Sequence, residues 1–147
     1  MIFWLFAMHI LRRFVLLALI SFVLINCRRA YNSWNIADFG AIGDGNTINT
    51  LAIQNAINAC AKDGGRVVIP AGEFITGMIT LESGVELHLE QNAVLKGSPD
   101  LEDYPFHETS HKFGHDSIQL RTLILADGAE HIYITGTGKI DGNGGSP

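Results

Sequence analysis

Residues 35 to 70 read NIADFGAIGDGNTINTLAIQNAINACAKDGGRVVIP: a strand, a glycine-rich turn, one helix, a Gly64-Gly65 stop and another strand. From Thr50 to Cys60 the apolar residues Ala52, Ile53, Ala56, Ile57 and Cys60 fall on one arc of about 140° at 100° per residue. Gln54, Asn55 and Asn58 take the opposite, wet side. Asn49 is the expected N-cap, and glycine ends the helix because it enters the left-handed conformation at little cost. Cys60 lies mid-way along the apolar face, which predicts a buried, reduced thiol. One amphipathic helix ahead of an array of strands predicts a cap on a stack, since an open stack needs its first layer covered.

Gly40, Gly43 and Gly45 surround Asp44 in the spacing G-x-x-G-x-G. This is neither the dinucleotide fingerprint nor a Walker loop, and no Lys-Ser/Thr follows. A turn that needs positive φ explains it.

Downstream, short apolar runs recur at Arg66 to Ile69, Phe74 to Leu81, Val85 to Leu89, Ala93 to Leu95, Leu123 to Leu125, Ile132 to Thr135 and Lys139 to Ile140. Turn residues bound each of them. In Val85 to Glu90 the alternation puts Val85, Leu87 and Leu89 on a core face and Glu86, His88 and Glu90 on a wet one. No helical pattern separates these runs, which excludes a doubly wound sheet. Two-residue Asn-Gly hairpins between matched strands are scarce. The pattern predicts an all-β fold, a right-handed parallel β-helix of which these are the first coils, with one N-terminal capping α-helix. A jelly roll or other sandwich is the structural alternative.

Upstream, His9, Arg12 and Arg13 precede the apolar run Phe14 to Ile25, the pattern of a secretory signal peptide over residues 1–26, with Met8 as the better-formed start. The run is shorter than the roughly 17 to 25 residues of a membrane span. Cys27 follows Leu24-Ile25-Asn26 and loosely matches a bacterial lipoprotein box, making it a candidate lipid attachment site. The membrane is reached only through this signal or that anchor. Residues 27–34 are an exposed lead-in, and 35–147 are the N-terminal, truncated part of a parallel β-helix domain. Localisation is expected to be secreted, periplasmic or outer-surface lipoprotein.

The 147 residues are 47% hydrophobic with a net charge of −5, and the apolar N-terminus inflates the mean hydropathy of +0.20. Beyond Arg29 there is no basic run, so nucleic acid is excluded as a partner. An anionic substrate would need local cations.

His107-Glu108-Thr109-Ser110-His111 spells H-E-x-x-H, which on a helix would place two histidines on zinc with Glu108 as general base. Here Thr109 and Ser110 favour helix weakly, and the third histidine, His115, directly follows Gly114, so no metal site is assigned. Ser98 to Gln119 reads as a long surface loop. Its sharper reading walls one end of a substrate cleft, with Lys112 or Arg121 near a substrate carboxylate. His88 between Glu86 and Glu90 reads as a solvated face before a small cation site. Asp44, Asp63, Asp127 and Asp141 each neighbour glycine and read as turn residues. Asp141-Gly-Asn143-Gly matches a calcium loop only in its opening residues.

Three blocks carry a resemblance: DFGAIGDGNTINTLAIQNAINAC, GGRVVIPAGEFITGMITLESGVELHLEQNAVLKGS and RTLILADGAEHIYITGTGKIDGNG. In this order they resemble the N-terminal part of glycoside hydrolase family 28, the polygalacturonase-like enzymes of the pectate-lyase-like superfamily, over Asn35 to Gly145. Asn49 stands where the family usually has Asp, and His131 where Asn is common; both are scaffold positions. The resemblance implies inverting hydrolysis of a galacturonan or pectin-type polysaccharide by paired aspartates, which need roughly 6.5 to 9.5 Å between them to admit a water. It implies no cofactor, and a monomer when full length. The family's Asn-Thr-Asp, Asp-Asp, Gly-His-Gly and Arg-Ile-Lys motifs do not occur in these 147 residues. No catalytic or substrate-binding residue is therefore assigned, and the chain is expected to be the inactive N-terminal part of the enzyme. A non-catalytic carbohydrate-binding β-helix or a tailspike-like protein is the alternative.

Overall fold

The computed structural model describes residues 32–108 and 119–145. Its strands are β1 (Ser33–Asn35), β2 (Asp44–Ile48), β3 (Gly65–Ile69), β4 (Gly72–Thr76), β5 (Ile79–Thr80), β6 (Val85–Leu89), β7 (Ala93–Gly97), β8 (His107–Glu108), β9 (Gln119–Leu120), β10 (Ile124–Leu125), β11 (Tyr133–Gly136) and β12 (Lys139–Asp141). The helix α1 spans Thr50–Ala61.

Three parallel sheets result, in the orders β1-β3-β6-β11, β2-β4-β7-β12 and β5-β10. Gly65 pairs with Val85 and Gly72 with Ala93, so one coil takes about 20 residues. Glu86 pairs with Tyr133 and Val94 with Lys139, because the second coil carries the inserted segment between β7 and β10. This is the parallel β-helix expected from the strand pattern. The insertion adds an antiparallel pair, His107 with Leu120 and Glu108 with Gln119, which the sequence reading treated as loop.

Like side chains stack along the register. Val67 and Leu87 form one interior column with Ile134, and Phe74 and Leu95 another with Ile140. The inner members are fully or almost fully buried, while Ile134 and Ile140 on the last described coil are 51% and 39% exposed. At the turn out of β11, Gly136 has φ +100° and lies against the Leu89 carbonyl, so a side chain there would collide with the coil below.

Several boundaries differ from the sequence reading. The first strand is Ser33–Asn35, beginning within the expected lead-in, and residues Ile36–Phe39 form a 3-10 turn. Asn35 causes the break by accepting the Ala37 N–H at 2.9 Å. Asp44–Ile48 is a strand as well as a turn, paired with β4 through an irregular register. Phe74 to Leu81 divides into β4 and β5 at a Gly77-Met78 corner, the Gly77 N–H donating to Thr50 Oγ1 at 2.7 Å.

The helix closes the stack with its apolar arc, Ile53, Ala56, Ile57 and Cys60 all being fully buried. Cys60 is a free thiol, and burial pushes its pKa up to about 11. Gln54 is not on a wet side. Its Oε1 accepts the Thr80 N–H at 2.8 Å and its Nε2 donates to the Thr80 carbonyl at 3.1 Å. A side-chain amide thus replaces the missing strand beside β5, satisfying an edge that would otherwise be open.

Asn49 makes no side-chain cap. Its Oδ1 accepts the Ile42 N–H at 2.7 Å, while its Nδ2 donates to the Thr47 and Ile42 carbonyls at 2.7 and 3.1 Å. An amide that can give and receive is better used pinning the β2 loop than capping a helix.

Candidate functional site

The coil register brings together three polar groupings. On the outer face of the first sheet, the pairing places Arg66 beside Glu86 and Tyr133, and Val68 beside His88 and Thr135. Arg66 Nη2 lies 2.9 Å from Glu86 Oε1, and the Thr135 hydroxyl donates to the same oxygen at 2.5 Å. That hydroxyl has no second proton, so it accepts from a proton on His88 Nδ1 at 2.7 Å. Glu86 is only 6% exposed, so the alternation of β6 holds but the wet face does not. The cause is its neighbours, whose side chains roof it. A cation between Glu86 and His88 would meet the Arg66 guanidinium, so the small cation reading gives way to a clamp joining three coils. His88, Glu90, Gln91, Gly136 and Thr137 border a shallow cavity of about 390 Å³.

On the second sheet Lys96 Nζ pairs with Glu73 Oε1 at 2.9 Å, and Lys139 Nζ with Asp141 Oδ2 at 2.7 Å. Lys139 and the Asn143 N–H hold the Asp141 carboxyl below the usual range. This is turn chemistry, as expected for that aspartate. Asp44 is similar: its Oδ1 accepts the Thr47 and Asn46 N–H groups, which lower its pKa.

The third grouping is the base of the insertion. The Tyr104 hydroxyl is buried and donates to the Ser98 carbonyl at 2.8 Å, and the Met78 N–H donates to the Asp103 carbonyl at 3.0 Å. These bonds dock the insertion on the Gly77-Met78 corner. The His107–Leu120 register brings Phe106 opposite Arg121. The Arg121 guanidinium stands 4.2 Å from the Phe106 ring centroid and Nη1 donates to the Leu101 carbonyl at 2.8 Å.

His107 and Glu108 are extended, not helical, so the helix that H-E-x-x-H chemistry requires does not begin at His107. His107 Nε2 instead faces Asp127 Oδ2 at 3.2 Å. Among the described residues no group of three His, Cys, Asp or Glu side chains could hold a metal ion. His111, Lys112, His115 and Cys27 lie outside the described residues.

Parallel coils closed by an amphipathic helix define the class as a parallel β-helix of the pectate-lyase-like kind. The family described as "Rhamnogalacturonase A/epimerase, pectate lyase-like" matches residues 33–136, and the chain belongs to it. It is 42% identical over 120 residues to an exo-poly-α-D-galacturonosidase of Dickeya chrysanthemi, covering 75% of this chain and 19% of that protein. Among solved structures it is similar to a family 28 exopolygalacturonase of Yersinia enterocolitica, with 41% identity and a TM-score of 0.68 over 76% of this chain and 21% of that one. An exopolygalacturonase of Thermotoga maritima gives 38% identity and a TM-score of 0.67, over 76% of this chain and 25% of that one. The family 28 resemblance is thus borne out, and the chain spans about a fifth to a quarter of the length of these relatives.

Proposed function

We infer that these residues form the N-terminal coils of a polysaccharide hydrolase acting on galacturonan, and that the reacting carboxylates lie in coils further along the same protein. The observation that carries this reading is the similarity to the Dickeya, Yersinia and Thermotoga proteins, whose names specify galacturonan chemistry and of which this chain matches the same limited share. The carboxylates described above support it from the other side. Glu86, Asp44 and Asp141 are each committed to a backbone N–H or a side-chain partner within the scaffold. The hydrolysis is inverting, with one carboxylic acid protonating the leaving oxygen and one carboxylate activating water.

Export is part of the proposal. Residues 1–26 act as the signal peptide, and the product is secreted or, through Cys27, held at a bacterial membrane as a lipoprotein; the full-length enzyme works as a monomer. Proton NMR of freshly cleaved oligogalacturonate, with the complete gene product as catalyst, tests the reaction. Initial release of the β-anomer from the α-linked substrate is expected. Initial release of the α-anomer contradicts inversion, and no cleavage contradicts the substrate.

A further inference from the structure

The base of the insertion carries an unusual surface. Phe106 is 61% exposed and Leu101 66% exposed, side by side with an exposed arginine. Large apolar groups left in water next to a cation are what a sugar acid requires, since its ring offers an apolar C–H face and its carboxylate takes a planar pair of donors.

Arg121 is prepared for that task. Stacking on Phe106 and the bond to the Leu101 carbonyl hold the guanidinium in place, and among the described residues one of its donors is used. Among the described residues Arg66, Lys96 and Lys139 each have a carboxylate partner, whereas Arg121 has a ring and a carbonyl. The acidic residues of the neighbouring turn bond locally: Asp100, itself exposed, accepts the Glu102 N–H, and half-buried Asp103 takes the Ser98 hydroxyl. Glu102 is exposed next to Leu101 in the chain. Arg121 also stands just before β10, so the surface borders the β5-β10 sheet.

We propose that Phe106 and Arg121 form a uronate-binding platform, with Arg121 gripping the carboxylate of one galacturonate unit and Phe106 stacking under a ring. This rests on the galacturonan reading above and supplies the local cation that a protein of net charge −5 needs for an anionic substrate.

The test is calorimetric titration of the full-length protein with oligogalacturonate and with the same oligomer reduced to neutral galactose units. Arg121→Ala is expected to weaken binding of the acidic oligomer about ten-fold, the scale of one charge-assisted hydrogen-bonded contact. Arg121→Lys recovers only part, because an ammonium lacks the planar fork. Phe106→Ala weakens both oligomers, while Lys62→Ala, which removes the same charge at the exposed end of α1, changes neither. In steady state Arg121→Ala raises KM more than it lowers kcat. Both side chains are exposed, so wild-type melting temperatures are expected in all variants. Undiminished binding of the acidic oligomer by Arg121→Ala overturns the platform, as does an equal loss for both oligomers or a wild type that binds neither. A wild type that binds through Arg121 yet releases no reducing ends supports the platform and overturns the hydrolase reading alone.

Discussion

Replacing Leu87 by Ala is expected to destabilise the folded chain by about 3 kcal/mol, the scale of a leucine deleted from a rigid core. Leu87 is fully buried in the second coil, between Val67 in the coil below and Ile134 in the coil above. Neither neighbour can drop into the gap, because each is fixed to its own strand by the ladder. Ile134→Ala, in the same column, makes the comparison informative. At 51% exposure it is expected to cost under about 1 kcal/mol in the 147-residue chain. On the proposed reading, in which further coils follow, Ile134 is covered in the complete gene product and the cost is expected to rise toward that of Leu87. Urea midpoints at constant slope read both differences. Equal costs for the two positions in the 147-residue chain would show that the column does not stack as described.

Asn49→Ala is the second large effect, expected at roughly 2–3 kcal/mol. The substitution removes an acceptor from the Ile42 N–H and donors from the Ile42 and Thr47 carbonyls, groups that are at least partly shielded from water. The β2 loop then loses its tie to the start of α1. Asn55→Ala is the control. Asn55 is exposed on the same helix, so alanine there is neutral or slightly stabilising through its higher helix propensity. A thermal scan of the two variants separates a buried amide tie from an ordinary cap, whose loss costs about 1 kcal/mol.

Asn49 also shows where sequence reading reached its limit. Its position ahead of an amphipathic run announces the helix, but the direction of its amide depends on Ile42 and Thr47, which a turn brings back beside it. Local periodicity is enough for the apolar arc of α1 and for the core face Val85, Leu87 and Leu89 of β6, because both reflect a repeat in the chain itself. Gln54 and Glu86 read as wet-face residues because nothing local reveals that Thr80 lies against one and that Arg66 and Thr135 enclose the other. Those partners become visible only once the coil length is known, and the insertion hides that length by separating Glu86 from Thr135. Phe106 was not singled out at all. Its pairing with Arg121 follows from the short antiparallel register of β8 and β9, strands too brief to leave an alternating pattern.

The proposed reading makes this chain the capped beginning of a galacturonan hydrolase whose reacting carboxylates lie further along. Reducing-end release from polygalacturonate, measured in parallel for the 147-residue chain and for the complete gene product, tests it most directly. Release by the complete product and none by the 147 residues is the expected result. Release by the 147 residues alone, or by neither protein, would contradict it.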